Sequence, residues 1–91
     1  MKQLPGVRRG SVSRLRWTFL RGTRALTCEV TLPAAGTWCQ VQVIPGWDVP
    51  STHVESIDTA ASALCRHAEI AKQLREDGWS LVARSSSNVG A

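Results

Sequence analysis

Polar and apolar residues alternate through three consecutive runs of this chain. In the first, Leu15, Trp17 and Phe19 share one side, with Arg14, Arg16 and Thr18 on the other. That two-residue period is the mark of a half-buried strand. Arg21-Gly22-Thr23-Arg24 interrupts it with a glycine able to take a positive φ. The second run sets Leu26, Cys28, Val30 and Leu32 against Thr27, Glu29 and Thr31. It stops at Pro33-Ala34-Ala35-Gly36, since a proline cannot donate to a ladder. The third sets Cys39, Val41 and Val43 against Trp38, Gln40 and Gln42, and ends in the loop Pro45-Gly46-Trp47-Asp48-Val49-Pro50. With short connections, the three runs make an antiparallel meander.

The period then changes. Val54 to Ile57 reads as a short fourth strand. The competing reading is a capping box of Thr52 and Glu55 that starts the helix early. From Thr59 to Asp77 there is no glycine or proline, with Asp58 placed as the N-cap and Gly78 as the residue past the C-terminus. Ala60, Ala61, Ala63, Leu64, Ala68, Ile70, Ala71 and Leu74 form a broad apolar stripe at helical spacing. Trp79-Ser80-Leu81-Val82 docks back as a fifth strand or a packed extension. The expected fold is therefore α+β: an antiparallel three- to four-stranded β-meander with one long C-terminal amphipathic helix on one face, and room for a short strand after the helix. Residues 1–13 read as a flexible basic arm, 14–83 as a single domain and 84–91 as a disordered tail.

A single helix covers only one face of a sheet, and the other stays wet unless a partner covers it. That open face is expected to carry Arg14, Arg16, Thr18, Thr27, Glu29, Thr31, Trp38, Gln40 and Gln42. Trp17 belongs with the core, and Trp47 and Trp79 are expected to close its two ends.

Length and composition narrow the function classes. Ninety-one residues are too few for two domains or a dinucleotide-binding α/β enzyme. At 43% hydrophobic and 20% charged, the composition is that of an ordinary globular protein. No uncharged apolar run approaches the ~20 residues of a transmembrane helix. No apolar stretch of about 7–15 residues follows the N-terminal charges, as a secretory signal would require. The expected location is the cytoplasm, with no membrane association and all three cysteines reduced.

The net charge of +4 is segregated. Lys2, Arg8, Arg9, Arg14, Arg16, Arg21 and Arg24 give residues 1–24 seven positive charges and no negative one. Residues 25–91, with four basic and seven acidic side chains, carry −3. A basic arm is an electrostatic footprint of nucleic-acid contact and equally the composition of a solvated tail.

Candidate chemistry is sparse. The chain has no glycine-rich phosphate loop, no Gly-x-Ser-x-Gly and no paired catalytic acids. It has no Cys-x-x-Cys and no His-x-x-x-His. Cys65 and His67, two apart on a helix, point about 200° away from each other, while Cys28 and Cys39 share the core face as small hydrophobes. The expectation is a non-catalytic binding module with no metal and no cofactor. Single-strand nucleic-acid binders pair arginines for phosphates with exposed aromatic rings that stack on bases. Here those residues are Arg8, Arg9, Arg14, Arg16 and Trp38, with Glu29 in the middle of the face opposing phosphate. The alternative is a homodimeric or partner-protein interaction module with no nucleic-acid role, its interface the open face or a helix flank. The expected partners are thus single-stranded nucleic acid or a second copy of the chain.

Two stretches carry a resemblance. They are Arg16-Trp17-Thr18-Phe19-Leu20-Arg21-Gly22 leading into Leu26-Thr27-Cys28-Glu29-Val30, and His67-Ala68-Glu69-Ile70 through Leu74-Arg75-Glu76-Asp77-Gly78-Trp79. With the Ile57-Asp58 helix entry, they resemble small bacterial proteins of unassigned activity, built as a β-meander followed by a helix ending in Gly-Trp. The resemblance spans about residues 14–83 and implies architecture without functional residues. A sheet followed by one helix is also similar, in topology alone, to single-stranded-DNA-binding coactivator and Whirly-type domains.

Overall fold

The computed structural model describes residues 12–33 and 38–89. In chain order the elements are β1 (Val12–Arg21), β2 (Arg24–Pro33), β3 (Cys39–Pro45), a single 3-10 turn (Val49–Ser51), β4 (His53–Ile57), α1 (Ala60–Glu76) and β5 (Ser80–Val89). The strands form one antiparallel sheet in the order β4-β3-β2-β1-β5. The α+β class and the meander agree with the sequence pattern, but the described residues form five strands and the helix is not the last element.

The largest difference lies at the C-terminal end. Residues 84–89, whose serine-rich composition suggests a tail, continue β5 along β1 from Trp17↔Arg84 to Val12↔Val89. Local composition loses because β1 offers a complete strand edge, and strand propensity is dominated by what a residue pairs with and packs against. The same pairing draws Val12 and Ser13 into β1 rather than the arm. β5 carries a bulge opposite Thr18/Phe19, which lets Leu81 face the core while the strand beyond it resumes a regular ladder.

Turn chemistry follows the sequence closely. Arg21 pairs with Arg24 across a two-residue loop, and Gly22 takes φ +62° at the first loop position, where a tight hairpin turn of this kind requires glycine. The fourth strand forms and begins at His53, one residue ahead of the sequence reading. The helix starts one residue later than Asp58 implies: Thr59 is the N-cap, its Oγ1 accepting from the Ser62 N–H at 3.1 Å. Thr59→Ala is expected to lower unfolding free energy by about 1 kcal/mol, measurable as a shift in urea midpoint. At the other end Gly78 (φ +94°) allows the Trp79 N–H to bond the Leu74 carbonyl at 2.9 Å and its own N–H to bond Arg75 at 3.1 Å. This is the paired C-terminal lock that glycine favours.

The core lies between the sheet and α1. Phe19, Leu26, Cys28, Val30, Cys39 and Val41 come from the strands, and Ala63, His67, Ile70 and Ala71 from the helix, with Trp79 closing one end. The helix is rotated relative to the stripe read from sequence. Ala60, Ala61, Leu64 and Ala68 are exposed, and His67 takes a fully buried position instead. α1 packs over β2 and β3, so Leu15 and Trp17 on β1 and Leu81 on β5 are only partly covered. Among the described residues, no helix is long and apolar enough to cross a membrane.

Candidate nucleic-acid interface

The register places the open face residue by residue. One row runs across all five strands through Ser85, Arg16, Glu29, Gln42 and Val54. The next row contains Ser87, Arg14, Thr31, Gln40 and Ser56. Strand alternation assigns each of these to the side away from α1, as the pattern of the sequence implies.

Arg16 and Glu29 face each other in the first row and are bonded. Arg16 Nε and Nη2 both donate to Glu29 Oε2, at 2.9 and 2.7 Å. Glu29 is only 7% exposed although it sits on the open side, because the guanidinium lies across it. The sequence pattern offers Arg16 to phosphate and sets Glu29 against it. The pair cancels both. Arg14, in the next row, is exposed and makes no ion pair among the described residues.

Trp38 precedes β3 and is 63% exposed, enough to present a ring face to a ligand. The register puts it at the end of the sheet where β1 begins, with β2 between it and Arg14. Arg8 and Arg9 lie outside the described residues.

A second aromatic and basic cluster was not legible in the sequence. At the opposite end of the sheet Trp47 and Trp79 stack with ring centroids 5.9 Å apart and planes 11° from parallel. The Arg24 guanidinium lies 4.8 Å from the Trp47 centroid, and that of Arg21 lies 4.9 Å from Trp79. Arg21 Nη1 also donates to the Asp77 carbonyl at 2.9 Å. The two tryptophans therefore close the same end of the core, not two ends. Each follows a glycine in the sequence, but only the path of α1 and β5 brings them together. The arrangement ties the first hairpin, the β3–β4 loop and the helix C-terminus into one end plate.

The titratable groups on the helix side are structural in geometry. His67 Nε2–H donates to the Cys28 carbonyl oxygen at 2.9 Å, which leaves Nδ1 unprotonated. Its ring packs on Trp17 with centroids 4.2 Å apart. Burial pushes the His67 pKa down, partly opposed by the bond to Cys28. Burial likewise pushes the Cys28 thiol up to about 12, so it stays protonated and unreactive. Arg66 donates to both Glu55 oxygens at 2.8 and 2.9 Å and, helped by His53, holds the Glu55 carboxyl down at about 2. Beside this pair a shallow depression is lined by Ile57, Ala61, Ser62, Cys65, Arg66 and Glu69. Among the described residues no three His, Cys, Asp or Glu side chains converge as metal ligands.

No protein-family model, curated protein or solved structure matches the chain.

Proposed function

We propose that the chain is a module that binds single-stranded nucleic acid weakly, through its basic N-terminal segment and the Val12 end of the open sheet face. The observation that supports this most is that Arg14 and Trp38 are both exposed and lie at the same end of the sheet, where β1 begins. The guanidinium neutralises phosphate and the indole offers a stacking surface to a base. Glu29, the carboxylate that would repel a phosphate backbone, is already neutralised by Arg16 at 2.7 Å. Arg16 accordingly orders the face, and Lys2, Arg8, Arg9 and Arg14 remain to meet phosphates.

The test is fluorescence anisotropy of a labelled oligothymidylate with the full chain across a salt series. Engaging about four phosphates should cost roughly 10–100-fold in affinity over about a fourfold rise in salt. Trp38→Ala should weaken binding by about 1–3 kcal/mol at every salt concentration. Arg8→Ala with Arg9→Ala should instead flatten the salt slope by about 1.4. Undetectable binding at low salt, or binding indifferent to salt, would rule the reading out.

A second reading, self-association or partner binding, is favoured by the other half of the face. Toward the Gly22 turn it carries Leu20, Ala25, Thr18, Thr27 and Ile44, none of them charged, with Leu20 exposed.

A further inference from the structure

The two edges of the sheet are built differently. The β4 edge is five residues long and carries His53 and Glu55, with Arg66 seated across the carboxylate. Short length and charge are the usual protections against edge-to-edge pairing. The β5 edge is long and nearly uncharged. It runs for ten residues without proline or lysine, and Arg84 is its one charge. Its bulge lies near the start and leaves Arg84–Val89 in unbroken register with β1. Among the described residues, the outer N–H and C=O groups of that segment have no strand beside them, and α1 lies mainly over β2 and β3.

We propose that β5 pairs antiparallel with β5 of a second copy, joining two five-stranded sheets into one. The sequence of the segment is self-complementary in the sense this geometry needs. A two-fold axis at Ser86 sets Ser85 opposite Ser87 and Arg84 opposite Asn88, so no like charges face each other. Such a two-fold, perpendicular to the sheet, keeps both helices on one side. Each helix lies over β2 and β3, so about six strand spacings separate the two axes, roughly 30 Å. That is more than twice the diameter of a helix, and the helices do not collide. Between them β1 and β5 of both copies form an uncovered floor to which each copy contributes Trp17, Leu81 and Arg84. On the opposite side the two open faces become continuous. Because both copies carry net positive charge, pairing strengthens as salt screens their repulsion, the reverse of the salt dependence of nucleic-acid binding.

Sedimentation velocity on the full chain, from about 10 μM to about 1 mM, covers the range of a small, mainly backbone interface. The expected result is a concentration-dependent shift from 9.9 kDa toward twice that mass, more complete at higher salt. Ser85→Lys with Ser87→Lys places lysines against one another across the axis on the solvent side, and should leave a folded chain that stays monomeric throughout. Val54→Lys on the β4 edge should leave the dimer intact. In the unsubstituted chain, amide exchange should slow with concentration at Arg84–Asn88, which decides the matter even if the double variant fails to fold. A monomer at all concentrations overturns the proposal. So does a dimer that survives the two lysines, one lost with Val54→Lys, or slowed exchange confined to another element.

Discussion

Trp79→Ala is expected to remove about 3–5 kcal/mol of unfolding free energy, the usual cost of emptying a buried aromatic site. For a domain of this size, total stability of about 5–15 kcal/mol makes that roughly a fifth of the whole or more. Trp79 is buried and stacked on Trp47. It is covered by Arg21, and its N–H closes the helix C-terminus on Leu74. The backbone bond survives the substitution, but the surface it positions does not. Trp47 is about half exposed, so Trp47→Ala should cost less, about 1–2 kcal/mol including the aromatic pairing. Arg24→Ala should cost no more than about 1 kcal/mol. Urea unfolding at neutral pH measures all three. A loss below about 1 kcal/mol for Trp79→Ala would show that this end plate is an appendage to the core rather than part of it.

Acidification is expected to destabilise the chain below pH about 6.5, with His67 responsible for the first phase. Its ring is buried in the core, bonded through Nε2–H to Cys28 and packed on Trp17. A second proton, on Nδ1, would place a charge among apolar side chains. The folded-state pKa is lowered from 6.5 by burial, so the unfolded chain takes up the proton first as pH falls. Stability is complete above the unfolded value and declines by up to about 1.4 kcal/mol per pH unit until the depressed folded pKa is reached. Glu55, held near 2 by Arg66 and down from 4.5, adds stability that is present above 4.5 and lost as pH falls toward 2. The measurement is the urea midpoint from pH 7.5 to pH 3. His67→Leu should abolish the slope between about 6.5 and 4.5 and preserve the later one. It should also lower stability at pH 7 by about 1–3 kcal/mol, because the Cys28 carbonyl loses its buried donor. A midpoint constant from pH 7.5 to 5 would contradict the role assigned to His67.

The two predictions rest on residues that the sequence reading treated very differently. Alternation in β1, β2 and β3 is a local property, and it identified the core face from Phe19 to Val41 and the open face from Arg14 to Gln42. The helix was legible because nothing between Thr59 and Asp77 breaks one and Gly78 ends it. Its rotation was not, because alanines are spread around it and Leu64 competes with His67 for the buried side. The choice is made by what the sheet offers, here a carbonyl at Cys28 and a ring at Trp17. In the candidate interface, Arg14 and Trp38 were legible by alternation and exposure. The capture of Arg16 by Glu29 needed the register between β1 and β2, which puts those two residues directly opposite.

By itself, then, the sequence determined the periodicities: three alternating runs, a helical stripe, the glycines that turn and cap, and an N-terminal excess of positive charge. These follow from interactions between residues a few positions apart. Only the tertiary structure decided where β5 goes, that the serines after Arg84 form a strand, and that Trp47 and Trp79 share one end. Those outcomes depend on an edge, a face or a ring supplied by residues far away along the chain. No short window of sequence contains both halves of such a contact.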